Sequence, residues 1–484
     1  MRRRRNRRER RDRWWLGPLA VLVAMGGLAR VSAQEAAKDA ADASAWVGRR
    51  VVTKYGTVLQ VGGKVVDDAG RKGNQARGRD LAAFRVYRVD QASGPWLWIV
   101  AERSGVAGWA KADDLISLDE AVAYYTKQIL ANPSDPSRYN ARGNAWRALG
   151  QLDDAIADYT EALRLNPRSV SALANRGNAW RARRDYDKAL ADFTEALRID
   201  PESAVAHHNR GIVWTAKGDH VSAIADFTEA LRLNPNLARA HLGRARAWRA
   251  RGEHDKAIAD YNEAIRLDPG YAAARHDRGR AWFVKKEYDK ALEDFTEALR
   301  LNPQSTTARQ NRGLVWYVKR EYDKALEDFA EAIRLGPKLA LARGGRRGGP
   351  PADHAEEASE GPETPIYAAI VGHLGARRSE KDDAAKAFLD DVEANADKTL
   401  WPYPLVRFLR REIDEQALLD LATDTDKMTE ARCCLALDEL LNGQTAEAME
   451  NFRWVKDRGR PGFEVDLAAA ELDRLAKNDA EESH

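Results

Sequence analysis

Residues 170–203 read VSALANRGNAWRARRDYDKALADFTEALRIDPES, and residues 204–237 repeat the pattern as AVAHHNRGIVWTAKGDHVSAIADFTEALRLNPNL. The same period extends in both directions from these two units, because prolines recur every 34 residues at Pro133, Pro167, Pro201, Pro235, Pro269, Pro303 and Pro337. Six full units therefore begin at residues 136, 170, 204, 238, 272 and 306. A fixed period of this length indicates a stack of similar supersecondary units rather than one large core.

The first half of each unit carries a small residue at its eighth position and a tryptophan at its eleventh. The small residues are Gly143, Gly177, Gly211, Ala245, Gly279 and Gly313. The tryptophans are Trp146, Trp180, Trp214, Trp248, Trp282 and Trp316. We expect a first helix here, whose small residue lets a second helix approach closely while the indole fills the volume beside it.

The second half carries alanine at position 20, an aromatic residue at position 24 and alanine at position 27. In the second unit these are Ala189, Phe193 and Ala196. Spacings of four and three place them on one face of a second helix. The proline five positions later cannot continue that helix, so we expect it to fix the turn into the next unit.

This order of small residue, aromatic, alanine, aromatic, alanine and proline resembles the tetratricopeptide repeat family across residues 136–339. The resemblance implies a mainly α protein, an α-solenoid in which helix hairpins form a right-handed superhelix. It also implies a concave face that binds peptides or partner proteins. A helix from about Leu118 to Asn132 resembles the second half of an earlier unit, so we expect the solenoid to span residues 118–342.

Charges repeat with the same period as the apolar residues. Position seven is arginine in every unit (Arg142, Arg176, Arg210, Arg244, Arg278 and Arg312), and position 23 is aspartate (Asp158, Asp192, Asp226, Asp260, Asp294 and Asp328). Position 26 is glutamate, as in Glu161. Because arginine pairs well with carboxylates, we interpret these charges as a ladder joining helix to helix rather than as a ligand site.

Binding residues are expected where the units differ, at positions that the resemblance places on the concave face. The candidates at positions nine and twelve are Asn144, Arg147, Asn178, Arg181, Arg246, Arg249, Arg280, Phe283 and Tyr317. Five of these are arginines in an otherwise acidic protein, and two are aromatic. Such a groove would suit an acidic, partly apolar peptide, with a merely solvated arginine face as the alternative.

The amino-terminal segment has the three parts of a secretory signal. An arginine-rich stretch precedes an apolar run from Trp14 to Ala29, and Val31 and Ala33 supply the small residues of a cleavage site. We expect a signal peptide over residues 1–33, cleaved after Ala33, and a periplasmic or cell-envelope location. The alternative is an uncleaved membrane anchor, although sixteen apolar residues fall below the roughly 20 that span a bilayer.

Removal of the signal changes the sign of the net charge. Residues 1–33 contain ten basic and two acidic side chains, so the remaining chain has 68 basic and 73 acidic ones. A mildly acidic chain lacks the charge that nucleic-acid binding relies on, so we expect no nucleic-acid partner.

Residues 46–117 differ from the repeats and predict a small antiparallel β-barrel. Short β-rich runs at 50–53, 58–61, 84–89, 97–101 and 107–110 alternate with glycine and charged turns. The runs around Trp96, Trp98 and Trp109 resemble bacterial Src-homology-3-like domains, which are generally binding modules at cell envelopes. These tryptophans could be core residues or a ligand platform.

The register breaks at residues 343–364, a glycine-, proline- and acid-rich stretch that we expect to be a disordered linker. Residues 365–472 then predict a carboxy-terminal helical domain. Gly372, Ala384 and Phe388 fit a further unit, and Ala448 and Phe452 fit a last one. Between these units, the run 401–409 precedes the run 413–419, and that order resembles the NlpI-type envelope lipoproteins, which act as adaptors. Gln34 stands where that family has a lipidated cysteine.

The sequence offers no recognisable active site. The nine histidines are scattered, and no metalloprotease motif, Walker loop, nucleophile elbow or dinucleotide fingerprint occurs. The two cysteines, Cys433 and Cys434, are adjacent and are interpreted as small buried residues of a helix. We therefore predict a scaffold or adaptor that binds proteins and needs no cofactor or metal. The alternatives are an envelope enzyme with an unrecognised site and a cytoplasmic regulatory adaptor.

Overall fold

The computed structural model describes residues 45–54, 60–61, 64–65, 86–93, 96–101, 107–344, 365–395, 401, 403–459 and 463–482. The described chain divides into two compact units, one ending at Leu165 and the other beginning at Asn166. The predicted signal peptide at 1–33 and residues 345–364 of the predicted linker lie outside the described residues. Among the residues described, no helix combines the length and the apolar run that crossing a bilayer requires.

The first unit contains an antiparallel sheet of five strands in the order β6-β5-β4-β1-β7, while β2 pairs with β3. The sheet buries Val51, Val89, Leu97, Ile99 and Leu115. The strands are β1 (Arg50–Thr53), β2 (Gln60–Val61), β3 (Lys64–Val65), β4 (Val86–Ser93), β5 (Trp96–Ala101), β6 (Ala107–Lys111) and β7 (Leu115–Ser117).

The sheet confirms the expected β-rich segment, and the structure adds two strands. Strands β3 and β7 were not predicted because two and three residues are too few for an alternating pattern. Trp96 is exposed, with the Lys111 ammonium 5.6 Å from its ring, and Trp98 is half-buried. The side chain of Trp109 lies outside the described residues.

Three helices complete the first unit: α1 (Leu118–Ala131), α2 (Pro136–Ala148) and α3 (Leu152–Leu165). Helix α1 begins at the predicted residue and packs on β1 and β7. Val52 and Ile116 of the sheet share one buried cluster with Ala121 and Tyr125 of this helix. Helices α2 and α3 form the first 34-residue hairpin.

The second unit begins with five more hairpins, each a helix of 13 residues followed by a longer one. The first helices are α4 (Val170–Ala182), α6 (Ala204–Ala216), α8 (Ala238–Ala250), α10 (Ala272–Val284) and α12 (Thr306–Val318). The second helices are α5 (Tyr186–Ile199), α7 (His220–Leu233), α9 (His254–Leu267), α11 (Tyr288–Leu301) and α13 (Tyr322–Gly344). The predicted α-solenoid of helix hairpins is thereby confirmed.

Side-chain caps set where several helices begin. Ser169, Ser203 and Ser305 each accept a hydrogen bond from the backbone amide three residues later, and Asp219 caps α7 in the same way. These bonds satisfy amides that have no partner within the helix.

The close approach of the two helices in a hairpin depends on the small residue at position eight, as expected. A Cβ added to Gly279 would lie 2.9 Å from Cε1 of Phe295, the aromatic residue at position 24. The tryptophans at position eleven are half-buried, and those of the second unit pack against the buried clusters. A lysine ammonium lies over several of them, at 4.4 Å for Lys188 on Trp180.

The prediction that proline ends each second helix holds at Pro201, Pro235, Pro269 and Pro303 and is wrong at Pro337, because α13 continues through it to Gly344. Each of the first four prolines follows an Asn or Asp in an extended conformation, which proline favours in the residue before it. Glycine precedes Pro337, and the helix-forming stretch KLALAR follows it.

Seven further helices follow: α14 (Pro365–Arg378), α15 (Asp382–Asn395), α16 (Tyr403–Leu409), α17 (Glu415–Leu421), α18 (Thr425–Leu441), α19 (Thr445–Arg458) and α20 (Phe463–Glu482). Helix α14 packs against α13 and α15. A Cβ on Gly372 would lie 2.7 Å from Phe388, so this hairpin repeats the earlier packing as predicted. Ala448 and Phe452 are buried in the α18–α19 hairpin.

Candidate functional site

The arginine–aspartate ladder is present in all six hairpins. Each position-seven arginine donates from Nε and Nη2 to both oxygens of the position-23 aspartate, with N–O distances of 2.6–2.9 Å. The carboxylates are buried. This bidentate geometry is the strongest form of the pair and confirms the structural interpretation.

The ladder also joins neighbouring hairpins. Within the second unit, Nη1 of Arg244 donates to Thr228 Oγ1 at 3.1 Å, and Arg278 reaches Asn262 in the same way. The acceptor lies on the second helix of the preceding hairpin in each case. One guanidinium therefore ties three helices together.

The position-26 glutamates are not part of this ladder, which corrects the prediction for Glu161 and its equivalents. Glu161 pairs with Arg164 on its own helix at 2.7 Å. The equivalent pairs on the later helices likewise span three residues, as in Glu263 with Arg266. Such pairs lie at the surface within one helix, although Glu331 also lies 3.9 Å from Arg309 of α12.

In the second unit, the first helices of successive hairpins contact one another: α4 with α6, α6 with α8, α8 with α10, and α10 with α12. Together they form one continuous surface, which we call the first-helix face. Seven of the nine predicted binding residues lie on these helices. The other two, Asn144 and Arg147, belong to the first unit.

The two predicted residues of the first unit lie on α2. Asn144 is buried, and its Oδ1 accepts a hydrogen bond from the Tyr159 hydroxyl at 2.8 Å. The Asn144 side chain therefore hydrogen-bonds inside the hairpin. The repeat spacing alone did not predict this burial. Arg147 is half-buried.

At the amino-terminal part of the second unit, Asn178 and Arg181 of α4 are half-buried. The next first helix, α6, presents Val205 with 59% of its surface exposed. The first-helix face is therefore accessible at Val205.

Arg246 was expected to be an exposed charge, and this is wrong. Its Nε donates to Asp277 Oδ2 of the next first helix at 2.6 Å, and its side chain is only 21% exposed. Burial alone would raise the pKa of Asp277, but the charges of Arg246, His276 and Arg249 outweigh it and hold that pKa well below its ordinary value. Asp277 was missed because the other units have no carboxylate at position six.

Arg249 and Arg280 also lie away from open solvent. Arg280 is buried, with Nη2 4.0 Å from Asp466 Oδ2 of α20, and Arg249 is half-buried and interacts with the same carboxylate. Their charges lie on one face, as predicted, but they meet carboxylates of the same chain.

The two predicted aromatic residues are buried in the core. Phe283 packs against Tyr288 with ring centroids 5.5 Å apart. Tyr317 lies beneath Arg378 of α14, whose guanidinium carbon is 5.1 Å from the ring centroid. Neither ring is a surface platform in this structure.

Helix α20 covers this part of the first-helix face. It contacts α12, α18 and α19, and its Leu467, Ala468 and Leu475 belong to the buried cluster that includes Leu314 and Tyr317. Glu471 is buried and accepts from Arg378 at 2.7 Å, while Asp473 pairs with Lys286. Sequence analysis missed α20 because helical periodicity does not show where a terminal helix docks.

Metal and thiol chemistry receive no support within the described part of the chain. No group of three potential ligands lies close enough to hold a metal ion there. Cys433 and Cys434 are free, buried residues of α18, as predicted, and burial raises the pKa of both thiols. A raised thiol pKa makes a cysteine a poor nucleophile.

The chain is similar to known repeat proteins. Among solved structures it resembles YrrB, "a TPR protein with an unusual peptide-binding site", at 26% identity over 39% of this chain and 97% of YrrB, with a TM-score of 0.33. It also resembles a tetratricopeptide repeat protein from Parabacteroides merdae at 25% identity over 45% of this chain and 87% of that one, with a TM-score of 0.39. No curated protein matches the chain.

The tetratricopeptide repeat family model matches residues 140–204, 216–272 and 273–340. The matched segments coincide with the 34-residue hairpins and their shared arginine–aspartate pairs. Residues 140–340 therefore resemble tetratricopeptide repeats in sequence, and their helix hairpins agree with that match.

Proposed function

We propose that the protein is an exported interaction scaffold whose first-helix face, in the second unit, binds an acidic peptide segment of a partner protein. The observation that supports this proposal is the position of α20 against the first-helix face. That helix presents Asp466 to Arg280 and Asp473 to Lys286. The same surface can therefore accommodate a helix that carries carboxylates.

Charge complementarity supports an acidic partner. Arg246 and Arg249 of α8 and Arg280 of α10 lie on adjoining first helices, Arg181 lies on α4, and the chemistry of guanidinium groups favours carboxylates. Of these, Arg246 meets Asp277, and Arg249 and Arg280 lie near Asp466. We therefore assign a positioning role to Arg246 and contact with a partner to Asn178 and Arg181, and we assign Arg249 and Arg280 to a partner carboxylate that takes the place of Asp466.

The location we propose is the cell envelope. The arginine-rich stretch, the apolar run and the small residues before Gln34 form the pattern of an export signal. The resemblance of the β-rich segment to bacterial Src-homology-3-like domains, and of the carboxy-terminal helices to NlpI-type adaptors, agrees with this location. Both resemblances stay predictions.

A matched pair of substitutions tests the proposed site. Val205 on the first helix α6 and Val221 on the second helix α7 are both exposed, at 59% and 64%. After a partner has been captured by affinity pull-down from envelope extract, Val205→Glu should weaken its binding about tenfold, because it removes an apolar contact and repels an acidic ligand.

Val221→Glu introduces the same charge on a second helix and should leave the dissociation constant unchanged. Helical content and melting temperature should stay near wild type for both variants, since both sites are exposed. Equal effects of the two substitutions, or an effect of Val221→Glu alone, would place the partner elsewhere.

A further inference from the structure

Helix α20 lies against the first-helix face as a ligand would. Its residues 464–475 are all buried or half-buried, although the segment contains five charged side chains. Leu467, Glu471 and Leu475 are spaced by four residues and lie on one side, where they are the most buried. A helix with this many charges is buried only where its charged side chains are paired.

The charged contacts of α20 follow a defined spacing. Asp466 lies near Arg280 and Arg249, Glu471 pairs with Arg378, and Asp473 pairs with Lys286. The carboxylates at relative positions 1, 6 and 8 therefore meet cations from α10, from α14 and from the turn after α10, respectively. The leucines at relative positions 2 and 10 fill the apolar floor between them.

Two of these pairs hold the helix weakly. Arg280 and Asp466 are separated by 4.0 Å, and the side chains of Lys286 and Asp473 are 57% and 42% exposed. Exposed pairs contribute little stability. Burial raises the pKa of Asp466, and the charges of Arg280 and Arg249 offset this rise only in part. The negative charge of this carboxylate is therefore only partly stabilised where α20 now lies.

We propose that α20 is a built-in competitor for the binding face, and that the external partner is an acidic amphipathic helix which repeats its pattern of leucines and carboxylates. This inference rests on the proposed function and names the ligand chemistry of the same face. A partner helix that matches the cations better than α20 displaces it and gains access to the face from α10 to α12. Binding is then gated by the release of α20.

The test uses the full chain and a fluorescent synthetic peptide of residues 463–482 as the probe. Asp466→Lys combined with Asp473→Lys places like charges opposite Arg280 and Lys286 and should release α20. The peptide should then bind about tenfold more tightly than it binds the wild-type chain, measured by fluorescence anisotropy. Amide hydrogens of α20 should exchange faster in the same variant.

A control and a rescue identify the cause. Glu450→Lys with Asp457→Lys makes the same change in net charge at exposed sites on α19 and should leave peptide affinity and exchange unchanged. Adding Arg280→Glu and Lys286→Glu to the releasing variant restores both pairs with reversed sign, so the amide hydrogens of α20 should again exchange at the wild-type rate. Leu475→Ala, which removes an apolar anchor without a charge change, should also raise peptide affinity.

The inference is overturned if the releasing variant and Leu475→Ala, both folded by circular dichroism, bind the peptide no better than wild type. It is also overturned if α20 exchanges at the wild-type rate in both variants, because α20 is then a fixed part of the core. A captured partner that binds the wild-type and released chains equally well would refute gating while leaving the scaffold function intact. Peptide binding to the released chain, together with no partner in any extract, would support the inference and count against the function.

Discussion

At the residue scale, the repeated charges and the variable charges have different roles. Each position-seven arginine holds a buried aspartate, and the arginines of the last four hairpins also reach the preceding hairpin. The position-26 glutamates lie at the surface and pair with an arginine of their own helix, as Glu263 does with Arg266. Burial of the carboxylate, rather than repetition in sequence, therefore separates the structural pairs from the solvated ones.

A comparison of two arginines in one repeat tests this distinction. Arg244→Met should lower the free energy of unfolding by about 2–4 kcal/mol, because it leaves the buried carboxylate of Asp260 without its main partner. Arg266→Met, which breaks the exposed pair with Glu263, should lower the free energy of unfolding far less, because exposed pairs contribute little stability. Urea unfolding followed by circular dichroism measures both, and equal losses would contradict the ladder.

The Arg246–Asp277 pair predicts a pH dependence. The folded-state pKa of Asp277 is lowered, so its contribution to stability is present above the ordinary pKa of an aspartate and is lost as the pH falls below it. Asp277→Asn should therefore be less stable than wild type by a constant amount between about pH 5 and pH 8, and the gap should narrow below about pH 4. Urea unfolding midpoints across this range would reveal a gap that widens on acidification if the sign is wrong.

The sequence predicted the arginine–aspartate ladder and most of the residues on the first-helix face. It did not predict that part of this face is buried. The identity of Arg246, Arg280 and Phe283 was visible at fixed positions, whereas their surroundings depend on Asp277 and on a helix almost two hundred residues away. A periodic pattern predicts contacts within a repeat. It carries no information about a non-repeated helix that docks on the array.

At the element scale, the hairpins depend on the contact between a glycine and an aromatic ring. In four of the five later hairpins the glycine at position eight admits the ring at position 24, and in the remaining one Ala245 occupies that position. The tryptophan, although invariant, packs at the edge and carries a lysine on its ring. The presence of the same residue in every repeat therefore did not show whether that residue lies in the core or at the edge of the hairpin.

Two glycine substitutions test this contact. Gly279→Ala places a methyl group 2.9 Å from the buried ring of Phe295, so it should destabilise the protein by about 1–2 kcal/mol despite the better helix propensity of alanine. Gly270→Ala is the matched control, because its nearest neighbour is the Asp268 carboxylate at 3.4 Å and its site is exposed. The control should be neutral or slightly stabilising in thermal unfolding, and similar losses at both sites would show that the ring contact is unimportant.

The passage of α13 through Pro337 shows how local sequence overrides a periodic signal. Proline ends a second helix where an Asn or Asp precedes it and another first helix follows. Neither condition holds at Pro337, where the helix continues to Gly344. Thirty-four-residue spacing located the proline correctly but did not determine its effect.

At the scale of the whole molecule, we propose that an export signal precedes the repeat array. The predicted signal makes a direct prediction: the protein recovered from envelope extract should begin at Gln34. Intact-mass analysis should therefore find a chain lighter by residues 1–33. A soluble product that retains Met1 would contradict export and favour the cytoplasmic adaptor.

The central claim is that partners bind the first-helix face of the second unit and compete there with α20. Hydrogen exchange measured by mass spectrometry on the full chain, with and without the captured partner, tests this most directly. The account predicts slower exchange on binding in α4, α6, α8 and α10, faster exchange in α20, and no change in the second helices α5, α7 and α9. Slower exchange confined to the second helices or to strands β4 and β5, with α20 unaffected, would contradict it.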